Sequence, residues 1–217
     1  MKHLAEKYKR HLTHRQFIIS AATAVLLLLI SFVVNFYAGE YATEKASTAV
    51  TDIVLNNIRV FDVGAIFVYG PVVLWAFVSA LCFLEPKRIP FVLKSIAVFV
   101  LIRSLFVTLT HLGAFPDQLA IDYTSDVIKK ITFGGDLFFS GHTGAPFLMA
   151  LVFWDHRYLR AIFVITAVFF GAIVLMAHLH YSIDVLAAFF ITYTIFHIAK
   201  TIFKKDWAMF NEGIPTS

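Results

Sequence analysis

A single cysteine stands in a chain of 217 residues. Cys82 has no partner for an intrachain disulfide, so cross-linking is excluded as a source of stability, and the redox state of the compartment is not legible from it. Charge is scarce as well. Asp, Glu, Lys and Arg together make 15% of the chain, against about a quarter in ordinary globular proteins. A soluble domain of this size needs a more polar surface, which excludes that class. No internal repeat, low-complexity tract or linker is found, so residues 1–217 read as one domain. What is there instead is apolar: 59% hydrophobic residues, 24 Phe and a mean hydropathy of +0.79. The predicted fold class is all-α, a polytopic helical membrane protein.

Six spans are expected, at roughly 17–38, 61–84, 89–112, 137–154, 161–179 and 180–199. At about 1.5 Å per residue these lengths suit a hydrocarbon core of about 30 Å. The first apolar stretch is too long for an ordinary signal peptide and is kept as a span. Lys2, Lys7, Lys9, Arg10, Arg15, Lys87, Arg88, Arg157, Arg160, Lys200, Lys204 and Lys205 fall on one side, and Lys45, Arg59, Lys129 and Lys130 on the other. The basic residues thus mark orientation rather than a nucleic-acid stripe, and both termini are expected in the cytoplasm. Short connections suggest a bacterial cytoplasmic membrane. The oligomeric state is not readable.

Two polar clusters interrupt the apolar chain: GGDLFFSGHTG at 134–144 and AHLHYSIDVLAAFF at 177–190. The topology puts both at the outer face. Arg103, about 21 Å along the third span, lies at a similar depth. Ionisable groups inside a membrane are costly, and groups that converge on one level are functional candidates. His180 and Asp184 are four apart, so on a helix they share a face. A carboxylate there fixes the imidazole tautomer and frees the other ring nitrogen as nucleophile or base. His142 offers a second imidazole to protonate a leaving group. Ser140, Gly141 and Thr143 surround it at an expected helix N-terminus, where backbone N–H groups favour an anion such as phosphate. Arg103 would neutralise charge from the neighbouring helix.

With these residues in view, G-D-x-x-x-S-G-H-T at 135–143 and H-Y-S-I-D-V at 180–185 resemble the two signature motifs of the sphingomyelin synthase branch of the type 2 phosphatidic acid phosphatase (PAP2) superfamily. R-S-L-F-V-T-L-T-H-L at 103–112 is similar to that branch's arginine-and-threonine motif, with Arg103 and Thr110 at matching positions. The resemblance covers about 103–190; the first two spans match only in being hydrophobic. It implies a six-helix bundle with the site at the outer leaflet. It also implies a phosphohistidine-type mechanism with His180 as nucleophile, Asp184 as its partner and His142 as general acid. The wider superfamily carries a K-x6-R-P motif, not found here, and an Arg six residues before the second histidine, where this chain has Val174. Fewer cations suit a phosphodiester monoanion better than a phosphomonoester dianion, which tilts the reading toward headgroup transfer from a phospholipid donor to a lipid alcohol. Where the branch has a Leu-Pro-x-Pro turn, this chain reads L-G-A-F-P-D, which leaves headgroup specificity open.

Competing readings stand beside these. With water as acceptor the same site is a lipid phosphatase or phospholipase. Two His and a carboxylate also make a facial triad for a metal, although that leaves Ser140, Gly141 and Arg103 idle. A non-enzymatic membrane protein retaining the fold is the third alternative. The transfer and hydrolysis readings need no cofactor and no nucleic acid. Asp136 is read as support for His142, as a group that polarises an acceptor amine, or as a helix cap. His111 and His178 are read as helix-end histidines at the interface, Asp117, Asp122 and Asp126 as a solvated face, Lys94 as snorkelling to the cytoplasmic interface, and the Phe excess as packing and lipid-facing surface.

Overall fold

The computed structural model describes residues 2–121 and 137–214. Among them the regular elements are helical. An amphipathic α1 (Lys2–Leu12) leads into α2 (Arg15–Lys45), α3 (Gly64–Leu84), α4 (Ile89–Leu109), α5 (Gly141–Val152), α6 (Arg157–Met176), α7 (Ser182–Ile202) and α8 (Lys204–Glu212). Five of these, α2, α3, α4 with its leading turn, α6 and α7, are long and apolar enough to cross a membrane. Their outward faces carry exposed Ile, Leu, Val and Phe, as a lipid-facing surface requires.

The expected fourth span departs from this. In place of 137–154 the helix α5 has 12 residues, about 18 Å, too short to cross a membrane by itself. The physical reason is its position. Leu148, Met149, Ala150 and Val152 are wholly buried with Phe139 and Phe153 in the main core formed with α4, α6 and α7. A helix sheathed by protein has no need to match the thickness of the bilayer. Ser140, the N-cap residue, starts α5 by accepting the Thr143 N–H at 3.4 Å. The other boundaries shift by a few residues, the largest being α2, whose 31 residues rise about 46 Å.

The first and last described segments meet at one end of the bundle. Arg10 bonds the carbonyl of Ile214, Lys7 pairs with Glu85, and Lys87 bonds the carbonyl of Asn211. At the same end Lys94 is buried rather than snorkelling. Its ammonium donates to Asp206 Oδ2 at 2.7 Å and to Ser20 Oγ at 2.8 Å, and Ser20 in turn bonds the other oxygen of Asp206. The connection 46–63, together with Gly113 and Leu119, closes the opposite end. There Phe61 and Leu119 donate N–H groups to the carbonyls of Met176 and Ala177.

Candidate active site

The sequence places His180 and Asp184 four apart, but the helix does not bring them together in the expected way. α7 begins only at Ser182, with Tyr181 as its N-cap residue, so His180 precedes the helix. Asp184 sits at the third helical position and reaches back. Its Oδ2 accepts the Tyr181 N–H at 2.9 Å, which is one half of a capping box, and the His180 Nδ1–H at 3.3 Å. Asp184 is 0% and His180 7% exposed. The carboxylate therefore fixes the imidazole with Nδ1 protonated and leaves Nε2 as the nitrogen with a free lone pair. Asp184 Oδ1 is buried with no hydrogen-bond partner among the described residues.

The second cluster joins the first through backbone. The Ser140 N–H donates to the carbonyl of Asp184 at 3.1 Å, so the start of α5 is tied to the start of α7. Thr143 Oγ1 bonds Ser140 Oγ at 3.2 Å, and both side chains are fully buried. Arg103, 9% exposed, arrives from α4 and donates from Nε to the carbonyl of Phe139 at 2.9 Å. A Cβ on Gly141 would lie 3.3 Å from that Nε. Glycine is thus what lets the guanidinium approach the first turn of α5, whose leading N–H groups lie ahead of the helix's own ladder. His142 follows Gly141 in the first turn of α5, at the end of the helix that Ser140 ties to Asp184.

His142 is held by a group that sequence reasoning missed. Its ring stacks on Phe67 with centroids 4.2 Å apart, and Nε2 donates to the carbonyl of Phe67 at 3.1 Å. That carbonyl is open because Pro71, four residues on within α3, has no N–H to give it. The second span, expected to contribute only hydrophobicity, therefore supplies part of the site. The signal was a proline inside an apolar run, F-V-Y-G-P at 67–71.

Asp52 is a second residue that the sequence did not flag. From the loop after α2 its Oδ2 accepts the N–H and the hydroxyl of Ser182 at 2.7 and 2.8 Å, while Oδ1 accepts the N–H groups of Val54 and Leu55. Burial acts to raise its pKa, yet the bonds from Ser182, Leu55 and Val54 together hold the carboxyl below its ordinary range. Tyr181 completes the brace. Its hydroxyl donates to the carbonyl of Gly113 at 2.8 Å and accepts the N–H of Val50 at 3.2 Å.

Other expectations fare unevenly. Asp136, Lys129, Lys130, Asp122 and Asp126 lie outside the described residues. Asp117 is exposed. Thr110 bonds back to the carbonyl of Phe106 within its own helix end. His111 is exposed beside Tyr41, as a helix-end histidine would be. His178 is not: it is 3% exposed, takes a positive φ of 56° in the turn between α6 and α7, and packs its ring edge-on to Phe115. A tight turn, not a helix end, buries it. Among the described residues no three His, Cys, Asp or Glu side chains are grouped to hold a metal ion, so the facial-triad arrangement is not assembled there.

The chain matches no curated protein and no solved structure. Residues 133–201 match the family model described as PAP2 superfamily C-terminal. The matched segment is the part of the chain that contains His142, His180 and Asp184.

Proposed function

We propose that the protein is an integral-membrane lipid phosphotransferase of the sphingomyelin synthase type, working through a phosphohistidine intermediate. The observation that carries this reading is the buried His180–Asp184 pair at 3.3 Å, with His142 and Arg103 at the adjoining helix start. His180 Nε2 attacks the phosphorus of a phosphodiester, and the bond from phosphorus to the diacylglycerol oxygen breaks. The leaving oxygen takes a proton from His142. Because Nε2–H of His142 is engaged by the Phe67 carbonyl, the proton comes from Nδ1, which leaves a neutral ring still held through Nε2–H. In the second half a lipid hydroxyl gives its proton back to His142 Nδ1 and attacks phosphorus, and the bond to His180 breaks. Arg103 and the first N–H groups of α5 bind the non-bridging oxygens.

Val174 favours a diester over a monoester. It is wholly buried in an apolar cluster with Phe67 and Ile173, so no cation reaches the phosphate from the position where the phosphatases of the superfamily carry Arg. A monoanion needs less neutralisation than a dianion. Hydrolysis is the second reading, favoured by the breadth of the matched family, and differs only in using water as acceptor. Both readings put the site at the outer leaflet and both termini in the cytoplasm, in a bacterial cytoplasmic membrane.

The test is incubation of purified protein in mixed lipid with a headgroup-labelled phospholipid, with and without ceramide or diacylglycerol, followed by mass spectrometry. Label on a new lipid only when the acceptor is present is the expected result. Water-soluble label released regardless of acceptor would assign hydrolysis instead.

A further inference from the structure

The end of the bundle away from the two histidines holds a second polar site. Lys94 and Arg103 lie on the same helix nine residues apart, about 13 Å of axial rise, and they serve different clusters. A cavity of about 590 Å³ opens between the start of α2 and the start of α8, with Arg15, Ile19, Ser20, Lys94, Lys205 and Asp206 among its walls. Its floor is the buried Lys94–Asp206–Ser20 cluster, in which both oxygens of Asp206 are engaged. Its mouth is different. Arg15 and Lys205 are exposed, and no salt-bridge partner is found for either among the described residues. Three cations against one carboxylate leave the cavity with an excess of positive charge. Neither α2 nor α8 has a side-chain cap on its N-terminal N–H groups, which adds to that potential.

Below the mouth the wall turns apolar. Ile19 lines the cavity, and Ile18, Val25 and Leu26 continue along α2 as exposed hydrophobic surface. Cationic groups at a helix end above a greasy stripe match the outline of a phospholipid, with the phosphate at the mouth and an acyl chain along α2. A soluble anion would have no use for the stripe. We propose that this groove binds the phosphate group of an anionic phospholipid from the leaflet beside the chain termini, at a site separate from the His180 cluster. Arg15 and Lys205 hold the phosphate, and the Lys94–Asp206 pair fixes α8 against α2 and α4 so that the two cations face one another. The proposal does not depend on the transfer chemistry.

The experiment is native mass spectrometry of the full chain in an uncharged detergent, titrated with phosphatidylglycerol or with phosphatidylcholine of the same acyl chains. Phosphatidylglycerol is expected to bind the more tightly. Arg15→Gln combined with Lys205→Gln is expected to weaken it by about tenfold or more, as loss of charge-assisted contacts should, and to leave phosphatidylcholine binding unchanged. Arg157→Gln, which removes an exposed cation outside the groove, is expected to change nothing. Equal binding of the two lipids, or an equal loss in Arg157→Gln, would overturn the site. In a second arm, millimolar inorganic phosphate is expected to leave the lipid bound; its displacing the lipid would assign the groove to a free phosphate and overturn the lipid. Thermal melts of the variants matching the parent chain exclude misfolding as the cause of a loss.

Discussion

His142 and Phe67 are joined by a hydrogen bond of 3.1 Å from an imidazole nitrogen to a helix carbonyl, and the bond exists because Pro71 leaves that carbonyl without its usual donor. Proline in mid-helix costs about 3 kcal/mol relative to alanine. Pro71→Ala restores a competing N–H. The expected result is a melting temperature that holds or rises while turnover falls by about tenfold, because His142 loses its fixed orientation. A purely structural proline would instead lower both. Parallel melts and lipid-transfer rates on the same preparation separate the two.

His180 and Asp184 should respond unequally to replacement. His180→Ala removes the proposed nucleophile, and the expected loss is on the order of a thousandfold or more with little change in melting, since no cap depends on the imidazole. Asp184→Asn keeps the shape but weakens both the bond to His180 Nδ1 and the bond to the Tyr181 N–H. It should cost activity on the order of a hundredfold or more and also lower the melting temperature. Trapping of phosphate label on the protein should vanish in His180→Ala and persist, more slowly formed, in Asp184→Asn. Label retained in His180→Ala would move the nucleophile elsewhere.

Much of this candidate site was legible from residue spacing. G-D-x-x-x-S-G-H-T and H-Y-S-I-D-V named His142, Ser140, Thr143, His180 and Asp184, and charge placement put the two motifs at one end of the bundle. Arg103 was legible because a cation within an apolar span must answer to something. What was hidden acts through backbone or from distant loops. Phe67 contributes a carbonyl, which every residue has, so only Pro71 betrayed it. Asp52 sits 130 positions from Ser182, and nothing in a loop aspartate announces a remote helix start. The length of α5 was misjudged because hydropathy cannot tell lipid-facing from protein-buried surface. Lys94 was misread for a related reason: its partner Asp206 lies beyond the last span, in a segment that reads as a polar tail.

Asp52 makes the stability of the site end pH dependent. Its carboxyl is held below the ordinary range in the folded chain, so its contribution is fully present above the unfolded value of about 4 and is lost as pH falls through the lower folded value. Asp52→Asn should therefore lower the melting temperature at neutral pH. The gap between parent and variant should narrow below about pH 4 as the parent's own carboxyl protonates. Melts taken from pH 7 down to pH 3 would show the two curves converging; a constant gap would mean that the Ser182 bonds do not depend on the charge. Activity should fall with the same variant, because the brace at Ser182 positions the turn that carries His180.

The Lys94–Asp206 pair predicts a sign that distinguishes a buried ion pair from ordinary packing. Both side chains are less than a tenth exposed and 2.7 Å apart, so removing one leaves the other charged, buried and unpaired. Lys94→Met is expected to destabilise by about 3–5 kcal/mol. The double variant Lys94→Met with Asp206→Leu removes both charges and leaves only Ser20 to find a partner, so it should recover most of that loss. Additive losses in the double variant would instead mean that each residue acts through packing alone. If the pair also sets the spacing of Arg15 and Lys205, the double variant should melt near the parent temperature yet bind phosphatidylglycerol less tightly, because the apolar replacements hold α8 in place without holding it in register.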